Sequence, residues 1–168
     1  MNDEQIKIGN EALRIEEDCT FSPKRHFNAS SRWEKCHYWV GLPSTLLAGL
    51  SGISAFNDYP IMAGVLAISS TALTSILTFL KPSERSEHHK SIGNQYLSLR
   101  NKTRLFREFQ ISYTSEALIV KINDLSNQRD ELNSGALNTS NSDYIKAQKD
   151  INEELHKYEV DKENMNVG

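Results

Sequence analysis

From Tyr38 to Leu80 the chain carries one formal charge, Asp58, in 43 positions, while charged residues crowd both flanks. Tyr38–Asn57 gives 20 uncharged residues and Tyr59–Leu80 gives 22. At about 1.5 Å of rise per residue, a helix of about 20 residues spans roughly 30 Å, the thickness of a bilayer's hydrocarbon core. A helix pair in a soluble core would interleave charges on its outward faces, and none occur here. The pattern predicts a transmembrane hairpin over 38–80, with spans at about 38–57 and 60–80 and a turn at 57–60. Asn57-Asp58-Tyr59-Pro60 is suited to a tight reversal, and Pro60 to the first position of the returning helix.

The flanks read as amphipathic helices. In the N-terminal arm, 1–37, Ile8, Ala12, Ile15 and Cys19 recur at helical spacing behind a cap at Asn2 or Asp3. Phe21-Ser22-Pro23 is expected to end that helix, and Lys24–His37 to lead into the first span as a second. Beyond the hairpin, Lys81-Pro82-Ser83 is expected to bend the chain into one long amphipathic helix over 81–132. There Ile92, Leu99, Phe106, Tyr113 and Val120 follow a seven-residue repeat, with Tyr96 and Thr103 four places after the first two. A second register, Ile111, Leu118, Leu125 and Leu132, overlaps it, so the helix has faces for more than one neighbour. The neighbour is either the N-terminal helix of the same chain or another copy. On the second possibility, Ile92, Tyr96, Leu99, Phe106 and Tyr113 are the assembly candidates. Residues 133–142 are small and polar and form a linker. Tyr144, Gln148, Ile151, Leu155 and Tyr158 predict a last helix over 143–163. The fold class is all-α: a membrane protein with a two-helix transmembrane hairpin and cytoplasmic N- and C-terminal helices forming a helical bundle or coiled coil.

The spans have faces of their own. Placed at about 100° per residue, Ala63, Gly64, Ala67, Ser70, Thr71, Thr74, Ser75 and Thr78 fill one arc of the second span, while the bulky apolar residues fill the other. Ser70, Thr71, Thr74, Ser75 and Thr78 are the candidates to line an aqueous path. On the first span Gly41, Ser44, Thr45, Ala48, Gly49, Ser51, Gly52 and Ala55 form a comparable small face, interrupted by Phe56. Ser44, Ala48, Gly52, Ala63 and Ala67 are the candidates for close helix packing, since small residues let backbones approach in lipid. Pro43 predicts a kink in the first span.

Charge placement adds orientation. Lys24, Arg25, Arg32 and Lys35 precede the first span, Lys81, Arg85, Lys90 and Arg100 follow the second, and the turn holds no basic residue. The excess of basic residues on one side predicts both termini in the cytoplasm. Trp33, Tyr38, Trp39 and Tyr59 sit near span ends, where amphipathic rings favour the headgroup region. The first 37 residues hold no apolar run, so no cleavable signal peptide is expected.

Candidate chemistry is sparse. Cys19 and Cys36 both fall on the expected cytoplasmic side, where a disulfide is disfavoured. Cys36-His37 and His88-His89 lack the second pair of ligands that a structural zinc site needs, so no metal and no other cofactor is expected. No phosphate-binding loop, dinucleotide fingerprint, nucleophile elbow or zinc-protease motif occurs, which argues against an enzyme. With 19 Lys and Arg interleaved among 22 Asp and Glu, direct nucleic-acid binding through a broad basic face is not expected.

The polar arm, the closely spaced spans and the stretch KPSERSEHHKSIGNQYLSLRNKTRLF, with His88 or His89, Gly93, Tyr96, Leu99 and Arg104, resemble the SLATT domain over roughly residues 5–130. These are the SMODS- and SLOG-associating two-transmembrane effectors of bacterial conflict systems. The resemblance implies an antiviral, abortive-infection effector that perforates or depolarises the inner membrane as a homo-oligomer when a partner sensor is triggered. Sensors beside such effectors include nucleotide second-messenger systems, SLOG proteins and reverse transcriptase modules. No enzymatic sensor is expected within this chain. From the residues alone, a pore and a non-conducting membrane anchor or scaffold that recruits a partner through its cytoplasmic helices stand level. A transporter subunit is disfavoured because neither span contains an ionisable residue.

Overall fold

The computed structural model describes residues 3–153, apart from the side chain of Ile111. Asn2, Leu155 and Tyr158, and the last helix beyond residue 153, lie outside the described residues. Every regular element among those described is helical: α1 (Asp3–Phe56), α2 (Pro60–Leu80), α3 (Pro82–Phe109), a 3₁₀ turn (Gln110–Ser112), α4 (Ser115–Gly135) and α5 (Asn141–Asn152). The chain forms two compact units: the first comprises the described parts of Met1–Ala29 with His89–Gly168, and the second is Ser30–His88.

Two expectations about helix limits are corrected. The arm expected as separate helices within 1–37 is instead part of α1, which continues through Pro23 and Pro43. A proline inside a helix forfeits one backbone hydrogen bond, but Pro23 is fully buried, and packing offsets that loss. The single helix expected over 81–132 is broken at 110–114. There the backbone tightens into the 3₁₀ turn, and Thr114 restarts a helix as its N-cap, its hydroxyl accepting from the Ala117 amide at 3.4 Å. Thr114-Ser115-Glu116, a capping residue with an acid in the first turn, is the local signal for this break.

In the first unit the apolar positions meet in one core. Ile8, Ala12, Ile15 and Cys19 of α1, Ile92, Tyr96, Leu99 and Phe106 of α3, and Leu118, Ile122 and Leu125 of α4 are all buried together. The sets repeat at steps of three, four or seven residues, the spacings that keep side chains on one helix face. Thr103, also buried on α3, returns its hydroxyl to the Leu99 carbonyl at 2.9 Å. Gly93 is required by close approach: a Cβ there would lie 2.8 Å from the Phe27 ring. Polar contacts flank the core. Arg107 donates to Glu16 at 3.1 Å, and the mostly buried Arg129 stands near Glu11, Asp18 and Asp130. α5 opens with a capping box, Ser140 and the buried Asp143 each bonding the other's amide.

Burial pushes the Cys19 thiol from its usual 9.0 up to about 12, with the Asp18 charge as a secondary cause. Because the folded value exceeds the unfolded one, the stability gained by keeping this thiol neutral is complete below pH 9.0 and is lost as pH rises toward about 12. The melting temperature in detergent is therefore expected to fall more steeply above pH 9.0 in the native protein than in Cys19→Ala. Parallel pH profiles for the two would refute this assignment.

Candidate functional site: the apolar hairpin

The second unit contains the hairpin. α1 ends at Phe56, and the chain reverses through Asn57–Tyr59. The Tyr59 amide donates to the Ser54 carbonyl at 3.0 Å, and the Asn57 side-chain amide to the Ile53 carbonyl at 2.8 Å. Asp58 takes a left-handed conformation, φ 57°, which short polar side chains tolerate better than bulky ones. Pro60 then starts α2, where its missing N–H costs nothing. α2 closes on Lys81, also left-handed, whose amide bonds the Leu77 carbonyl.

The contact between α1 and α2 inside this unit is a seam of hydroxyls. Ser44 and Ser70 are 4% and 7% exposed. Ser70 Oγ donates to the Ser44 carbonyl at 2.8 Å, and Ser44 Oγ reaches the Ser70 carbonyl at 3.1 Å. Thr74 Oγ1 donates to the Ser70 carbonyl at 2.9 Å and lies 2.7 Å from Ser44 Oγ. Two helical turns nearer the reversal, Ser51 Oγ donates to the Ala63 carbonyl at 2.8 Å, with Ser54 buried three positions further on. Serine is small enough to bring the backbones together, and its proton is satisfied by the opposite helix.

The remaining candidates face outward. Ala48, Gly52, Ala67, Thr71 and Thr78 are exposed and Ser75 is half-buried. A Cβ at Gly49, Gly52 or Gly64 would meet nothing within 4 Å, so these glycines serve no close contact inside the hairpin. Thr71, Ser75 and Thr78 return their hydroxyls to the carbonyls of Ala67, Thr71 and Thr74 at 2.8, 2.8 and 3.0 Å. A face satisfied in this way can lie against lipid without an orphaned donor. Thus Ser70 is buried in the seam and Thr74, although exposed, joins it through its contact with Ser44, whereas Thr71, Ser75 and Thr78 bond only within α2 among the described residues. Sequence reasoning grouped them because they share an arc, and it did not single out Ser51 and Ser54. Ser44 and Ser51 stand seven residues apart, a spacing that marks one helix face.

Bulky apolar side chains surround the hairpin. Trp39, Phe56, Ile61 and Phe79 are 79%, 92%, 84% and 84% exposed. Apolar exposure on this scale requires an apolar surrounding. Both helices are long and apolar enough to cross a membrane. At the charged end of the unit, the Arg32 and Arg85 guanidiniums stand 5.2 and 5.0 Å from the Trp33 ring, and the Ser30 and Ser86 hydroxyls meet at 3.0 Å.

The assembly candidates are placed differently. Ile92, Tyr96, Leu99 and Phe106 are buried in the first unit's own core, and Tyr113 is largely exposed. The outward side of the same region shows Leu105, Phe109, Ile119 and Val120.

The fold and the hairpin define an all-helical membrane protein with two spans. Residues 29–163 match the SMODS and SLOG-associating 2TM effector domain family 4, and the chain belongs to that family. The description names a two-transmembrane effector and its association with SMODS and SLOG. No curated protein and no solved structure shows significant similarity to the chain.

Proposed function

We propose that this protein is an antiviral, abortive-infection effector of the bacterial inner membrane that oligomerises and opens an aqueous path when a partner sensor is triggered. The carrying observation is the division of hydroxyls on α2. Ser70 and Thr74 hold the hairpin together, while Thr71, Ser75 and Thr78 lie on a strip that can turn either to lipid or to water. Hydroxyls can replace part of an ion's hydration and, when dry, bond their own helix. Two helices enclose no channel, so a path needs several copies, with the outward strips of α2 facing one another. The family's association with SMODS and SLOG supports a sensor as the trigger, with nucleotide second-messenger, SLOG and reverse transcriptase modules as the candidates.

Reconstituted in liposomes with its trigger, the protein is expected to dissipate an ion gradient. Thr71→Val and Thr78→Val together should lower the flux severalfold while leaving the assembled mass unchanged. The competing reading is a non-conducting anchor for a partner-recruiting helical bundle, favoured by the fact that the strip's hydroxyls are all satisfied within α2. Undiminished flux in the double variant would remove the strip from the path, and no flux with any trigger would favour the anchor.

Both termini are assigned to the cytoplasm, because basic residues lie on both flanks and none in the turn. Asn57→Cys in a background lacking Cys19 and Cys36 should react with a membrane-impermeant maleimide on intact spheroplasts. Labelling only after lysis would reverse the orientation.

A further inference from the structure

The first unit contains a polar cavity of about 160 Å³ at the edge of its core. Ser22, Arg25 and His26 reach it from one face of α1, at positions i, i+3 and i+4. Tyr96 of α3 and Asn133 at the end of α4 complete two further walls, and residues 136–139, the strap between α4 and α5, close another. Among the described residues, no carboxylate lines it.

Its charge is unusual. Arg25 is half-buried, and among the described residues its partners are neutral. Nε and Nη2 donate to the Thr139 hydroxyl at 3.1 and 2.7 Å, and the guanidinium stands 5.4 Å from the Tyr144 ring. Asp143 accepts from the Ser140 amide and hydroxyl, and Asp18 lies beside Arg129. A half-buried guanidinium that meets neutral groups among the described residues still has room for an anion, and its planar fork matches an oxyanion.

Other donors converge on the same space. With its acceptor side occupied by Arg25, the Thr139 hydroxyl retains a proton to give. Tyr96 donates to Asn133 Oδ1 at 2.7 Å, which leaves that amide's nitrogen as a donor at the wall. Among the described residues, no backbone carbonyl accepts from the strap amides of Leu137 and Asn138.

We propose that this cavity binds one phosphoryl group, with Arg25 as the charged ligand and Thr139 and Asn133 as neutral donors. Size sets the class. The space holds about five waters at roughly 30 Å³ each, enough for a tetrahedral oxyanion. It lies below the roughly 300 Å³ at which pockets for whole drug-sized ligands begin. The phosphoryl group is therefore either free phosphate or the terminal group of a small molecule whose remainder stays outside. Bound there, it ties α1, α3 and the strap leading to α5 into one hydrogen-bonded cluster. This assignment is independent of whether the hairpin conducts.

The test uses the full chain in nanodiscs, in chloride buffer at constant ionic strength, titrated with inorganic phosphate or with AMP as a phosphomonoester. A saturable rise in melting temperature is expected with at least one of them, because a ligand that binds only the folded state stabilises it. A response to AMP makes the ligand a phosphomonoester, and a response to phosphate alone makes it the free ion. Arg25→Gln should weaken the apparent affinity at least about tenfold, as expected for losing a charge-assisted pair. Arg14→Gln, at an exposed site whose partner among the described residues is Glu11, should leave it unchanged. Thr139→Val retains both the volume and the guanidinium, and should also weaken binding if Arg25→Gln does not fold. A non-saturable response, an equal response to added chloride, or native affinity in both Arg25→Gln and Thr139→Val overturns the proposal.

Discussion

Leu99→Asp is expected to abolish the folded state of the first unit. Leu99 is 2% exposed and shares its core with residues from α1 and α4. Truncating such a leucine to alanine alone costs about 2–5 kcal/mol. A carboxylate in the same place adds the penalty of an unpaired buried charge. Set against the 5–15 kcal/mol that stabilises typical domains, the sum is enough to unfold it. Circular dichroism and hydrogen exchange in detergent should show helical protection lost from residues 89–109 and 115–135 together. Phe109→Asp is the matched control, since Phe109 is exposed on the same helix. It should keep the fold, so that any loss of oligomer mass in this variant reports on contacts between copies. A Leu99→Asp protein that melts like the native one would show that α3 does not supply this core.

Ser70→Leu is expected to open the hairpin, whereas Ser70→Ala is expected to be mild. Alanine removes the hydroxyl bond to the Ser44 carbonyl, and interhelical hydrogen bonds in membranes average about 0.6 kcal/mol. Leucine removes the same bond and also forces a branched side chain between backbones that approach to hydroxyl distance. Cysteine crosslinking between α1 and α2 should therefore persist in Ser70→Ala and collapse in Ser70→Leu. Thr71→Leu, one residue further on the outward strip, should preserve crosslinking whatever it does to conduction. If Ser70→Leu crosslinks as efficiently as Ser70→Ala, the seam does not hold the two helices together.

The two-span, all-helical class was legible because the bilayer imposes a coarse requirement on composition. A carboxylate in hydrocarbon is expensive, so a lone Asp58 between two uncharged stretches of 20 and 22 residues points to a turn outside the bilayer. The buried stripes Ile8-Ala12-Ile15-Cys19 and Ile92-Tyr96-Leu99 were legible for a similar reason, since helix periodicity alone puts such residues on one face. Periodicity cannot name the partner of a face, and the structure seats these two stripes, with Leu118, Ile122 and Leu125, in a single core.

The continuity of α1 through Pro23 and the break after Phe109 were decided by packing. Proline's local penalty argued for a break at Pro23, and complete burial in the unit overrode it. The uninterrupted heptad over residues 92–120 argued for one helix, yet a 3₁₀ turn and the Thr114 cap let α4 start anew and bury Leu118, Ile122 and Leu125. The division of α2 between Ser70 and Thr74 in the seam and Thr71 and Thr78 outside it depends on rotations of a few tens of degrees. The identity of a hydroxyl carries no record of such a rotation. The cavity beside Arg25 likewise unites residues more than a hundred positions apart, Arg25 with Thr139, through a strap that has no periodicity to read. By itself the sequence determined that the chain is helical, though not where each helix ends, which stretches are apolar enough for a membrane and which face of a helix is apolar, because those follow from local spacing and solvation. Only the tertiary structure decided which faces meet and which polar groups are satisfied by another helix, because those depend on distances between segments that no local rule constrains.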